Sequence, residues 1–210
     1  MTADILLING HIGNVKSLPT GLLGLAAVLR EQGFTVALHD YQLWPEPRKP
    51  DPDSFFRFVP ADAPVVGISV MCNSLPTVLG AVERLKQERP WQTVILGGPA
   101  ATDTPGSILE RFPVDVIVRG EGEATLAELM SLLAEGAPRE RWEQVAGISF
   151  RNDRRVVHTP PRRRIQNLDS LPMPAYDLVN LDHYDGVLPV VGARGCPYEC
   201  TFCSAHSIWA

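Results

Sequence analysis

Cys196, Cys200 and Cys203 fall within eight residues of a chain that carries only one other cysteine, Cys72. Thiolates packed this closely point to a metal. Spacing at i, i+4 and i+7 would line one face of a helix, yet Gly195 and Pro197 bracket the first cysteine and predict a loop instead. A loop can wrap its thiolates around something larger than one ion. Three sulfurs are one short of the four ligands that close a structural zinc site, and His206 is a candidate for the fourth. A four-iron cluster held by three cysteines keeps one iron open to a small ligand, whereas full cysteine ligation takes four. Spacing alone leaves iron–sulfur, zinc, a redox loop and chance clustering all open.

The rest of the chain must position that loop. Residues 4–9 form a short apolar run, the profile of a buried parallel strand. Leu18, Leu22, Leu25 and Leu29 then recur on one helical face, and Gly33 closes that helix. Strands are predicted at 34–38, 65–70, 93–96 and 115–118. Between and after them, helices are marked by Val78, Val82 and Leu85, by residues 107–111, and by Leu126, Leu129, Met130 and Leu133. This alternation predicts an α/β fold: a flavodoxin-like (Rossmann-like) five-stranded parallel sheet, order two-one-three-four-five, with helices on both faces. Residues 147–150 and 155–158 flank Asn152-Asp153 as a hairpin closing the domain. Residues 41–63, with Phe55, Phe56 and Phe58, read as a long surface connection packed on the domain. Residues 160–185 read as an ordered proline-rich linker, and 188–193 as a strand leading into the cysteine loop. The division expected is 1–150 for the α/β domain, 151–187 for hairpin and linker, and 188–210 for the start of a second domain.

In an open α/β sheet, ligands sit beyond the carboxyl ends of the strands. The loops there are 10–17, 71–74, 97–99 and 120–123, whose small residues, Asn73 amide and paired glycines let backbone approach a large flat ligand. No P-loop is present, and the Rossmann glycine pattern is missing after the first strand. A nucleotide, a flavin and a corrinoid all remain open at this point. Glu121 and Glu123 read as capping or neutralising the helix that follows, and Cys72 as a small buried apolar side chain.

Cys-x3-Cys-x2-Cys with Phe202 before the last cysteine resembles the cluster loop of radical S-adenosylmethionine (SAM) enzymes. The longer string from Arg194 to Ser204 resembles the subset with a cobalamin-binding domain in front. Pro19-Thr20-Gly21-Leu22, Val66-Gly67-Ile68-Ser69, Gly97-Gly98-Pro99, Gly120-Glu121-Gly122-Glu123 and Leu171-Pro172-x-Pro174-Ala175 also look like the cobalamin half of that family. The resemblance implies a [4Fe-4S] cluster on Cys196, Cys200 and Cys203, SAM on its open iron, and the Phe202 backbone near the adenine. It implies cobalamin across the strand ends, contacted by Ser69, Met71, Asn73, Gly97, Gly98, Pro99, Gly120, Glu121 and Gly122, its nucleotide tail toward the sheet near Gly97 and Gly98.

The implied reaction is methyl transfer from methylcobalamin to an unactivated carbon of a small-molecule or peptide substrate, by way of a 5′-deoxyadenosyl radical. The electron comes from a donor such as flavodoxin or ferredoxin. Alternatives are ring closure or rearrangement behind a front domain that has lost cobalamin, and a corrinoid- or nucleotide-binding module whose cysteines hold structural zinc. A (β/α)8 barrel takes roughly 250 residues, so the chain, with only the barrel's first strand and the loop after it, reads as the front of a longer enzyme and as catalytically incomplete by itself. One motif departs from a relative type. Cobalamin domains of the methionine synthase type carry Asp-x-His-x-x-Gly after the first strand, the His ligating cobalt, but here Asn9 and Asn14 replace the Asp and the Gly. Without the carboxylate that would orient the imidazole, His11 reads as a hydrogen-bonded loop histidine.

Composition narrows the class. A net charge of −5 argues against a phosphate-held nucleic acid, and Arg154, Arg155, Arg162, Arg163 and Arg164 read as a solvated hairpin and linker. No apolar run approaches the roughly 20 residues that span a bilayer, and residues 1–10 lack a signal-peptide pattern. The cysteine pattern is not a disulfide framework and fits a reducing cytosol, so a cytoplasmic location is expected.

Overall fold

A computed structural model describes residues 3–13, 16–45, 51–153, 155–184, 186–198, 200–203 and 205–209, without the side chains of residues 206 and 207. Asn14, Arg154, Glu199 and Ser204, used in the sequence reading, lie outside the described residues, as does the His206 side chain.

Five strands run parallel: β1 (Ile5–Asn9), β2 (Val36–Asp40), β3 (Val65–Ser69), β4 (Thr93–Gly97) and β5 (Val116–Val118). Two more, β6 (Ile148–Asn152) and β7 (Arg155–His158), continue the same sheet antiparallel. The order is β2-β1-β3-β4-β5-β6-β7, seven strands rather than the five expected. The first five stand in the predicted order, but the hairpin adds to the edge instead of capping it. Phe150 is completely buried and pairs with Val116, so β6 is held by core packing as well as by its ladder.

Alternate strand residues feed two cores, as the pleat requires. Ile5, Leu7 and Ile95 face α1 (Thr20–Glu31) on one side, while Leu6, Ile8 and Leu96 face the opposite core. That opposite face carries α2 (Pro52–Phe58), α3 (Leu75–Glu88), α4 (Pro99–Asp103) and α5 (Pro105–Arg111). α6 (Glu123–Ala134) lies beside α1. Gly33 takes the left-handed conformation, φ +88°, that ends α1.

Two expectations change. Residues 41–63 are not merely a surface connection: α2 starts at Pro52 with the Asp51 carboxylate accepting the Ser54 N–H (2.9 Å), and Phe55 is completely buried. Residues 188–193 form no strand among the described residues, and Leu188, Val190 and Val191 are exposed. A strand exists only by pairing, and β2 and β7 form the sheet's edges without this segment. The linker is ordered, as expected, through single 3-10 turns at Leu168–Ser170, Tyr176–Leu178 and Leu181–His183. It is pinned to α1 by Ala175 N–H on the Leu23 carbonyl (3.1 Å) and by Arg30–Asp177 (2.7 Å). After the cysteines comes α7 (Ala205–Trp209).

Candidate cofactor site

The five parallel strands end at one edge, where their loops gather. β4 runs into Gly98, which has φ +89°. A Cβ there would lie 2.9 Å from both Ser69 Oγ and the Val70 carbonyl oxygen, so only glycine fits. The same crossing is bonded by Val70 N–H to the Gly97 carbonyl (2.9 Å) and Ala100 N–H to the Val70 carbonyl (3.3 Å). The rim is therefore bare, firmly held backbone. After β5, Gly120 is also left-handed (φ +70°), and its N–H donates to Thr102 Oγ1 (3.2 Å).

A cavity of about 1070 Å³ opens at this edge. Its walls take Ser69, Gly97, Gly98, Pro99, Gly120, Glu121 and Gly122 from the strand ends, all of them expected there. Gly21 and Gly24 of α1 form a flat opposite wall, with no atom within 4 Å of where a Cβ would stand. The linker supplies Leu171 to Pro174, and the stretch before the cysteines supplies Val190, Val191 and Arg194. Met71 and Asn73 lie off these walls. The Asn73 amide donates to the Ile12 carbonyl (2.5 Å), joining the loops after β3 and β1, and Met71 is exposed. Phe202 is also off the walls and 91% exposed.

Sequence reasoning missed the site's central ion cluster. Arg194 Nη1 meets Glu121 Oε1 at 2.8 Å and its Nη2 meets Glu123 Oε1 at 2.6 Å, both carboxylates being buried. Glu121 Oε2 accepts the Ile165 N–H (2.6 Å), and the guanidinium faces the Trp209 ring at 5.6 Å. Burial pulls the guanidinium toward losing its proton, but the hydrogen bonds to Glu123 and Glu121 hold its pKa above the ordinary arginine value. Glu123 does stand in the first turn of α6, as expected, but its carboxylate also serves Arg194. No local signal joins these residues, which stand 71 and 73 positions apart.

Beside the cavity a second polar group closes the ends of β1 and β2. The Asn9 amide donates to Asp40 Oδ1 (3.0 Å), and Tyr184 O–H donates to Asp40 Oδ2 (2.9 Å). The His11 N–H meets Asn9 Oδ1 at 3.3 Å, while its ring lies where a Cβ on Gly13 would stand, 2.6 Å from Nε2.

The cysteine loop is non-helical, with Cys203 N–H donating to the Cys200 carbonyl (3.0 Å). Cys196, Cys200 and Cys203 are free and exposed. Among the described residues no three His, Cys, Asp or Glu side chains are gathered to hold one metal. Cys72 is exposed too, not buried as expected, because it stands in the turn beyond β3. The donor set suits iron–sulfur ligation: soft, unpaired thiols on a loop whose conformation is not bound into a helix. The cavity suits a corrinoid: broad, mostly apolar walls, with glycine backbone where a flat ring edged in amides would approach.

Comparison with known proteins agrees with this geometry. A family model described as the B12 binding domain matches residues 14–130. The uncharacterized methyltransferase PH0819 of Pyrococcus horikoshii is 33% identical over 199 residues, 89% of this chain and 40% of that protein. The anaerobic magnesium-protoporphyrin IX monomethyl ester cyclase of Synechocystis sp. is 33% identical over 212 residues, 97% of this chain and 41% of that protein. The chain thus spans about two fifths of these curated relatives. A solved structure of the cobalamin-dependent S-adenosylmethionine radical enzyme OxsB, with aqua-cobalamin and S-adenosylmethionine bound, superposes with a TM-score of 0.74 at 21% identity, over 96% of this chain and 28% of that one. The family match covers more than half of the chain and shows that the protein belongs to the B12 binding domain family.

Proposed function

We propose that this chain is the cobalamin-binding part and cluster loop of a radical SAM methyltransferase. In this reading 1–150 forms the corrinoid domain, 151–187 the hairpin and linker, and 188–210 the beginning of the SAM domain. The observation that carries it is the cavity of about 1070 Å³ at the strand ends, closed on one side by the segment that leads into the cysteines. Gly97, Gly98, Pro99, Gly120, Glu121 and Gly122 would hold cobalamin by backbone approach, with Ser69 beneath them. Met71 and Asn73 would act from the neighbouring loop. Cys196, Cys200 and Cys203 would hold the [4Fe-4S] cluster, and the Phe202 backbone would meet SAM. When bound, these groups supply radical generation and a transferable methyl group. The protein's own share is to position them and to keep water from the apolar walls.

Methyl transfer is favoured by the P. horikoshii relative, named a methyltransferase. Ring closure is the second reading, on the strength of the Synechocystis relative, named a cyclase. The substrate is a small molecule or peptide, the electron donor a flavodoxin or ferredoxin, and the setting the cytosol, which suits four free thiols. No described helix is long and apolar enough to cross a membrane.

The test is anaerobic reconstitution of the full chain with iron and sulfide, followed by hydroxocobalamin and gel filtration. The reading expects about one corrinoid retained per chain, and a visible iron–sulfur band that Cys200→Ala abolishes. Zinc uptake without that band, together with no retained corrinoid, would overturn it.

A further inference from the structure

We propose that Arg194 is a positioning residue that, through Glu121 and Glu123, holds the segment leading into the cysteines against the cavity and so couples cavity filling to the order of that segment. The inference rests on the cobalamin reading above. Its basis is a guanidinium shared between two carboxylates whose side chains are only 6% and 7% exposed. Glu121 simultaneously accepts the Ile165 N–H, so the linker and the cysteine loop are tied to one side chain. On the far side of the cysteines, Trp209 lies against the guanidinium, and the Ile208 carbonyl sits 3.4 Å from where a Cβ on Gly120 would stand. The chain is therefore bonded ahead of its thiols to the turn between β5 and α6, and after them α7 lies near the same turn while packing on α4.

The cavity has walls on both sides of this fastening. Gly120 and Gly122 belong to the fixed turn, while Val190, Val191 and Gly195 belong to the fastened segment. A molecule that fills the cavity touches both only when the fastening is closed, and so binds the closed form better than the open one. By linkage, filling the cavity favours the closed loop, and anything that opens the loop weakens binding by the fraction of closed molecules lost. Without Arg194, two neighbouring buried carboxylates lose their shared cation, and the closed form is the one that suffers.

Hydroxocobalamin titration and amide hydrogen exchange on the full chain test this, using wild type, Arg194→Gln, Arg194→Lys and, as a control, Arg141→Gln, which breaks the exposed Arg141–Glu135 pair away from the cavity. In wild type, hydroxocobalamin should slow exchange across residues 186–203. Arg194→Gln should bind about tenfold more weakly, within the usual range of coupling, and exchange fast in 186–203 with or without hydroxocobalamin. Arg194→Lys, which can keep one ion pair, should fall between, and Arg141→Gln should match wild type. Should Arg194→Gln fail to fold, the lysine variant decides. Faster exchange spread evenly through β1, β3 and β4 would mean general destabilisation and overturn the assignment. So would Arg194 variants that bind and exchange like wild type, which would leave the cobalamin reading standing. A wild type that binds no hydroxocobalamin overturns the cobalamin reading, and the coupling with it.

Discussion

Position 9 holds an amide because its neighbour is a carboxylate. Asn9 donates to Asp40, which also accepts from Tyr184 and from the Gln42 N–H (3.0 Å). An aspartate at 9 would set two carboxylates together in a buried corner, each disfavouring the other's charge. The missing motif aspartate thus has a local cause: the second strand already supplies the anion. Burial, and then the charge of Asp40, push the Tyr184 phenol far above its ordinary value. The folded chain keeps this proton where an unfolded tyrosine, with a pKa of about 10, begins to lose it. Stability from this group is therefore complete below pH ~10 and falls as pH rises above that. Tyr184→Phe should cost about 1.5–3 kcal/mol at neutral pH, as expected for a hydrogen bond to a charged group. It should also lessen the alkaline loss. Denaturant midpoints at pH 7 and pH 11 check both, and an equal alkaline loss in the variant would count against the assignment.

At the scale of elements, the turn after β4 is the most constrained piece of the site. Gly98 is left-handed and would press a Cβ into Ser69 and Val70. Gly98→Ala should therefore destabilise by about 1–3 kcal/mol and weaken hydroxocobalamin retention more than stability alone accounts for. Thermal unfolding paired with gel filtration at a temperature where the variant stays folded would show it; full retention there would remove the turn from the site. The helices were readable wherever apolar residues recur at three and four, as in α1, α3 and α6. α2 escaped because it is only 7 residues long, so Phe55 and Phe58 offer a single spacing of three, and its Asp51-Pro52 start lies in a proline-rich stretch. Residues 188–193 misled in the opposite direction: their apolar content resembles a strand, but pairing is decided elsewhere in the chain.

Across the whole molecule, the sheet separates the end that carries the cavity from an end held by charge. At the end away from the cavity, Asp115 precedes β5 and meets Lys86 Nζ (2.9 Å), Arg139 Nη2 (2.8 Å) and the Val94 N–H (2.9 Å). It links α3, β4, β5 and the turn at Arg139–Gln144. Asp115→Ala leaves Lys86, only 16% exposed, without its carboxylate partner and should cost about 3 kcal/mol. Below its melting point the variant should retain hydroxocobalamin as wild type does, because the cavity is built from the opposite strand ends. Lost retention in the folded variant would show that the two ends are not independent.

From the order of residues alone came the non-helical loop that carries Cys196, Cys200 and Cys203, the five parallel strands in their order, and the glycines at the rim of the cavity. Cysteine spacing, apolar period and glycine conformation are local, and the strand order follows from the alternation of strands and helices along the chain. Tertiary structure alone decided that Arg194 reaches Glu121 and Glu123, that Tyr184 closes on Asp40 across 144 positions, and that β6 and β7 extend the sheet. The reason is physical: an ion pair or a strand ladder forms between surfaces that only the folded core brings together, and no residue's immediate neighbours record which surface that will be.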